Sequence, residues 1–460
     1  MDNAWAMADA DFIRRTLDDL GARGLLRHLV AMGSAAGPHV RLGGRTVLQF
    51  ASNNYLGLAG DPRVKEAARR AIDRWGWGAG ASRLVSGHTE AHEALEADLA
   101  RFMGTGATLV FPTGYMANLG VVAALAGRGD TVVMDRASHA SLYDAVRLAG
   151  ARMVRYPQCD AQAAARSLTV AARIPRHASR PGGMVIPKGD HVSGFGARGA
   201  AQGHRSLTVA ARKVAARKGA TQGAAAGKGA RGRAVLATDT VFSMDGSAAP
   251  LAALADLCGR QGAMLLVDEA HALGVLGPTG AGLAEELGAA WAVTATVGTL
   301  SKALGGVGGF VAARREVIDL IVNRARSFIY TTALPAAACE AARAALDILR
   351  AEPERRERLR ALSRSLRDRL RQAGLDVPEG ETPIVPVVVG EPERALALAA
   401  ALLEKGIFCP AIRPPTVPPG TSRLRISLTA EHTEEDVERL AGALVEARGE
   451  TGCAAKSPPR

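Results

Sequence analysis

Three apolar runs, Ala234 to Ala237, Ala263 to Val267 and Ala292 to Val297, recur about thirty residues apart. That interval holds one helix and two short loops, so the runs read as successive strands of a parallel α/β sheet. Such a sheet binds its ligand just beyond the carboxyl ends of its strands. Asp268 and His271 follow the second run in L-L-V-D-E-A-H, and Lys302 follows the third in V-G-T-L-S-K-A-L-G-G-V-G-G. Thirty-four positions, one βαβ unit, separate Asp268 from Lys302. Two neighbouring strands therefore aim a carboxylate and an amine at one point. A lone loop lysine is ordinarily a solvated surface charge; the acid one strand away makes this one a candidate.

That pair has a chemical use. Pyridoxal phosphate needs a lysine to hold it as a Schiff base and an aspartate against its pyridinium nitrogen, which keeps the ring an electron sink. Upstream, P-T-G-Y-M-A-N follows a strand-like run at Ala107 to Phe111 and opens a helix. Thr113, Gly114 and Tyr115 would present N–H groups at that helix N-terminus, where a phosphate is favoured. An ordinary strand-to-helix turn explains the same residues. His139, in D-R-A-S-H-A-S beyond another strand end, could lie flat on a cofactor ring, although capping is the commoner fate of such a histidine. The glycine-dense loop from Gly76 to Gly87 lacks G-x-G-x-x-G and is a weak signal alone.

At 460 residues the chain needs two or three structural units. No run of eighteen apolar residues suggests a membrane span, and the N-terminus carries acids where a secretory signal needs basic residues. Five scattered cysteines without a C-x-x-C pair fit a reducing cytoplasm, with neither disulfide framework nor zinc site. The net charge of +12 comes from one segment. Residues 161–233 hold fourteen Lys/Arg and one acid, which leaves 43 bases against 44 acids elsewhere. This Ala/Gly-rich segment repeats R-S-L-T-V-A-A-R at 166–173 and 205–212 and reads as a mobile insertion born of a local duplication. The expected organisation is a helical segment over 1–45, with a helix from Asp11 to Met32, and a large α/β domain over 46–334. A smaller α+β domain over 335–447 and a polar tail over 448–460 complete it. Within the smaller domain one long helix is expected over Pro335 to Ala373, with strands at Val385 to Val389, Ile407 to Ala411 and Leu424 to Ser427.

The strings F-A-S-N-N-Y-L-G-L, D-R-A-S-H-A-S-L, T-D-T-V-F-S-M-D-G, V-D-E-A-H, V-G-T-L-S-K and A-I-R-P-P-T-V-P-P-G-T-S-R-L-R-I-S-L occur in that order. With them the chain resembles the α-oxoamine synthases, a branch of the fold-type I (aspartate aminotransferase-like) pyridoxal-phosphate enzymes. The likeness runs from Leu17 to Ala447 with 161–233 omitted, and the last string favours the members that use L-alanine and a pimeloyl thioester in biotin biosynthesis. The resemblance implies that Lys302 binds the cofactor covalently, Asp268 holds its pyridinium N–H, and His139 stacks on its ring. It implies that His271 and Ser243 lie near the phenolic oxygen and that Gly114, Tyr115 and Thr299 contact the phosphate. Arg425 would grip the amino acid carboxylate, with Asn53 at the substrate end and Arg27 on the acyl side. Thr331 or Thr332, in Y-T-T, would reach the phosphate of a second subunit in a homodimer. The family pattern differs at Ser301, Ala272 and Ser247, where glycine, glycine and aspartate are usual.

V-D-E-A-H is also the Walker B form of DEAH-type helicases, and a basic segment could bind nucleic acid. That class needs G-x-x-x-x-G-K-[ST]. Gly223 to Gly229, G-A-A-A-G-K-G, is one residue short and lacks the magnesium-binding hydroxyl. Neither nucleic acid nor membrane is therefore an expected partner. The nearer alternative is a family member that joins glycine to a short acyl-CoA.

Overall fold

The computed structural model describes residues 4–173 and 232–450. A hairpin of β1 (His39–Leu42) and β2 (Arg45–Gln49) precedes the strands of the central sheet. These are β3 (Ala107–Phe111), β4 (Thr131–Asp135), β5 (Arg152–Tyr156), β6 (Ala234–Asp239), β7 (Met264–Asp268), β8 (Val293–Thr299) and β9 (Gly309–Ala313). Their order across the sheet is β3-β9-β8-β7-β6-β4-β5. The β5-β4-β6-β7-β8 part is parallel, as the thirty-residue spacing requires. The sheet as a whole is mixed, because β9 runs antiparallel to both β3 and β8. Chain length explains the reversal: only residues 300–308 join β8 to β9, too few for the dozen or so that a parallel crossover needs.

Helices cover both faces, and β3 and β4 are buried along their whole length. One face packs on the helices Gly114–Leu125, Ala140–Ala149 and Arg315–Arg324. The other packs on Glu90–Met103, Leu251–Gln261 and Ala336–Ala351. The C-terminal part adds an antiparallel sheet of β10 (Ile384–Gly390), β13 (Ser422–Ser427) and β12 (Ala411–Ile412). The short β11 (Ile407–Phe408) pairs instead with β2, so residues 39–49 share a sheet with the C-terminal part. Among the described residues no helix is long and apolar enough to cross a membrane.

Several elements differ from the sequence expectation. The first helix is Ala4–Ala22, not Asp11 to Met32, and the chain turns at Gly24 with φ 63°. The long C-terminal helix is two, Ala336–Ala351 and Glu354–Gln372, parted at Pro353, whose ring and missing N–H interrupt the ladder. Pro410 likewise splits the expected strand from Ile407 to Ala411 into β11 and β12. Residues 161–173, the start of the basic segment, form a helix that buries Ala164, Leu168 and Ala171 against β4, β5 and Leu251–Gln261. Its apolar face is mostly alanine, too weak a stripe to stand out from a low-complexity background. The chain re-enters the described part at Gly232, and the N–H and guanidinium of the next residue, Arg233, both bond to buried Asp130. The rest of that segment, including the second R-S-L-T-V-A-A-R, lies outside the described residues.

Candidate active site

β6, β7 and β8 end in step. Asp239 stands opposite Asp268, and Asp268 opposite Val297, with Thr299 two residues further on. The turn after β7 carries His271 and the turn after β8 carries Lys302. Lys302 is half-buried. Burial draws its amine below the ordinary lysine range, opposed by the charges of Asp268 and then Asp239, while Arg425 adds to the fall. The two groups singled out from the spacing of apolar runs stand past the ends of neighbouring strands, within electrostatic reach of each other.

Asp268 is buried, and both its oxygens are occupied. Oδ1 accepts the Ala270 N–H at 2.9 Å, and Oδ2 accepts Asn118 Nδ2–H at 2.7 Å. Asn118 sits one turn into Gly114–Leu125 and also donates to Ser141 Oγ at 2.9 Å. Ser141 in turn bonds to Nδ1 of His139, the exposed N-cap of Ala140–Ala149. Burial pushes buried Asp239 well above the usual carboxylate range, with Asp268 adding to the rise. Its Oδ1 accepts the His139 N–H at 3.1 Å.

A second network joins His271 to the C-terminal part. His271 Nδ1 lies 2.7 Å from the Tyr55 hydroxyl, which donates to Asn53 Oδ1 at 3.2 Å. Arg425 donates to the same Asn53 oxygen at 3.1 Å, to Ser427 Oγ at 2.6 Å, and through Nε to the carbonyl of buried Ser243. Burial holds His271 well below the usual histidine range, with Lys302, Arg425 and His139 acting in the same direction. Its ring is neutral at physiological pH.

At the other end of the site, Thr113 caps the helix Gly114–Leu125 by accepting the Met116 N–H. A Cβ on Gly114 would stand 2.5 Å from Thr299 Cγ2, so only glycine lets this helix N-terminus approach β8. The exposed Tyr115 bonds to Asp144. The ends of β7 and β8 thus gather a carboxylate and an amine near a helix N-terminus. This donor set fits pyridoxal phosphate: an anion cradle at a helix N-terminus, an acid for a ring nitrogen and an amine for an aldehyde.

Two further groups named from the sequence make their contacts outside these networks. Thr332 pairs with Ser82, and Ala333 N–H bonds to Ala81, so the Thr331–Thr332 turn packs on the 76–87 loop of its own chain. Arg27 is exposed and donates to Thr416 Oγ1 at 3.3 Å, while Arg413 reaches back to the Gly24 carbonyl. These bonds tie the N-terminal segment to the turn before β13. Sequence reasoning missed Tyr55, Asn118, Ser141 and Asp239. All except Asn118 lie inside the strings quoted above, and Asn118 in P-T-G-Y-M-A-N, but nothing local marks them. Glu269, the second acid of V-D-E-A-H, turns away from the site. Its carboxylate accepts from Thr240 and from the N–H groups of Leu283 and Ala284, and burial pushes it up to about 7. It caps a helical turn, which removes the metal-binding role a helicase reading would give it.

The fold and this site define a class. The chain belongs to the aminotransferase class I and II family, whose pattern it matches over residues 45–179 and 210–444. Within it, the chain is 46% identical over 434 residues to an 8-amino-7-oxononanoate synthase of Anaeromyxobacter dehalogenans, covering 94% of each. Among solved structures it is similar to the serine palmitoyltransferase of Sphingomonas wittichii, with a TM-score of 0.79 at 30% identity over 98% of this chain and 99% of that one. The serine palmitoyltransferase of S. paucimobilis bound to a PLP–myriocin aldimine matches with a TM-score of 0.80 at 28% identity, over 99% of this chain and 100% of that one.

Proposed function

We propose that this chain condenses L-alanine with a pimeloyl thioester to give 8-amino-7-oxononanoate, CO2 and the free thiol, a step of biotin biosynthesis. The observation that carries it is the convergence of Lys302 and Asp268 at the ends of adjacent strands, beside an anion cradle at Gly114 and Thr299. The 46% identity to an 8-amino-7-oxononanoate synthase selects the reaction within the class. Lys302, Asp268, His139, His271, Ser243, Gly114, Tyr115 and Thr299 would hold pyridoxal phosphate. That cofactor supplies the electron sink that makes the amino acid's α-C–H bond acidic.

The chain's own groups do the rest. Arg425 has five N–H donors, and three are spent on Ser243, Ser427 and Asn53. One remains on each terminal nitrogen, a fork matched to the substrate carboxylate. Lys302, its amine lowered by burial, takes the α-proton as general base. The α-carbon forms its new bond to the thioester carbonyl, and the C–S bond breaks to release the thiolate, which takes a proton from solvent. The carboxylate held by Arg425 then leaves as CO2, and Lys302 returns the proton to the same carbon. Neutral His271, fixed by Tyr55, donates or accepts one hydrogen bond at the ring without adding charge. Asn53 closes the substrate end, and Arg27 lies toward the acyl chain. The carrier is coenzyme A or acyl carrier protein. In a homodimer, the Thr331–Thr332 turn would complete the partner's cradle.

The test is an absorption spectrum of purified protein, then L-alanine and pimeloyl thioester, beside Lys302→Ala. Wild type is expected to carry a visible band that shifts with alanine and a cofactor that borohydride fixes to the chain. Lys302→Ala is expected to lose the fixation and turnover. A wild type that takes up no cofactor, or that turns over glycine and not alanine, defeats the reading.

A further inference from the structure

We propose that Asn118 and Ser141 are positioning residues that fix the carboxylate of Asp268 and lock His139 as the tautomer with its proton on Nε2. The proton directions follow from geometry. The backbone N–H of Ser141 reaches His139 Nδ1 at 3.3 Å, and an amide N–H only donates, so that nitrogen is an acceptor. The Ser141 hydroxyl lies 2.7 Å from the same nitrogen and must donate to it as well. Its oxygen keeps lone pairs for Asn118 Nδ2 at 2.9 Å, whose second hydrogen goes to Asp268 Oδ2 at 2.7 Å. Each proton then has one place.

Asn118 cannot be turned over. Its Oδ1 would face a carboxylate and a hydroxyl whose proton is already committed. As it stands, that Oδ1 is buried without a partner, in a side chain only 2% exposed. Packing alone would favour leucine, which has a similar size and no orphaned polar atom. The amide is explained by what its two N–H groups hold.

The groups facing His139 are Asp239 and Asp268 at the ends of β6 and β7, Lys302 and His271 from the turns, and Asp144 on its own helix. Although one side of the ring is open, the protein packed around it displaces water and, with Lys302, opposes a second proton, whereas Asp268 and Asp144 favour one. The relay decides the balance, because a proton on Nδ1 would break both bonds from Ser141. His139 is thus presented as a neutral ring. The tautomer stands on geometry alone; its use beneath a cofactor rests on the function proposed above.

The experiment is ¹⁵N NMR of the full-length, cofactor-loaded protein labelled at histidine, with His139 assigned by His139→Asn. Wild type at neutral pH should show an unprotonated Nδ1 and a protonated Nε2. Ser141→Ala and Asn118→Leu should each raise the titration midpoint of His139, by about one pH unit for Ser141→Ala. Asn118→Leu should also release pyridoxal phosphate roughly tenfold faster or more, for loss of one bond to a charged group. A protonated Nδ1 in wild type overturns the proposal, and that reading needs no variant to fold. So do two variants that titrate as wild type does. Failure of the functional reading would look different: the NMR pattern would hold while alanine and pimeloyl thioester gave no product.

Discussion

Arg425→Lys offers a quantitative test of the fork. The arginine is 7% exposed and spends three donors inside the protein, leaving one on each terminal nitrogen for the carboxylate proposed to sit there. Lysine keeps the charge but offers a point of contact in place of a planar pair. The loss is therefore at least one hydrogen bond to a charged group, about 1.5–3 kcal/mol. That corresponds to roughly tenfold to a hundred-and-fifty-fold weaker alanine binding. The carbonyl of Ser243 and Oδ1 of Asn53 also lose a donor, so a stability loss of about 1–3 kcal/mol should accompany it. Alanine affinity can be read directly by titrating the visible band of the bound cofactor, and the KM values for alanine and for pimeloyl thioester compared. Alanine binding should weaken while the thioester KM stays near wild type. If alanine binds within about twofold of wild type and the thioester KM rises instead, the fork belongs to the other substrate and the assignment fails.

Acid should unfold this protein in part through His92. Its Nε2 bonds to the Leu334 carbonyl, its Nδ1 accepts the Thr89 N–H, and burial pushes it down to about 4 from 6.5. A depressed histidine means that the unfolded chain binds the extra proton first, so stability is full above pH 6.5 and lost as pH falls toward 4, by about 3 kcal/mol. His92→Gln should shrink the difference between denaturant midpoints at pH 7 and pH 4.5, and an undiminished difference would count against this. Leu168→Ala should lower stability by about 2–5 kcal/mol in denaturant unfolding, since Leu168 is fully buried. A cost below about 0.5 kcal/mol would mean that the helix at 161–173 is dispensable packing.

The regular part of the fold was legible because one signal repeats. A buried parallel strand is a short apolar run, and the helix between two runs sets their spacing, so β6, β7 and β8 could be placed within two residues at either end. The reversal at β9 depended on counting the residues that precede it, which an apolar run by itself does not reveal. Pro353 and Pro410 were visible as letters, yet whether a proline ends an element or kinks it depends on the neighbours it meets. At 161–173 the misleading property was composition. Alanine helps a helix form but contributes little to an apolar stripe, and only contact with β4 and β5 distinguishes this helix from the basic sequence that follows it.

The site divides along the same line. Lys302, Asp268 and His271 could be singled out as candidates because strand ends collect functional side chains whatever the surrounding loops do. The residues that hold them could not be found that way, because each acts across a long separation. Asn118 meets Asp268 from 150 residues away, and Tyr55 meets His271 from 216. No periodicity encodes such pairs, and in the sequence Asn118 is one polar residue on an otherwise apolar helix. In the fold it is the residue that links the end of β7, through Ser141, to a helix cap. A chain position whose polarity is wrong for its helix face is the sequence trace such a residue leaves. In this protein Asn118 is buried in Gly114–Leu125 among alanine, valine and leucine. Polar misfits on buried faces beside a predicted strand-end site are therefore where further positioning residues are best sought.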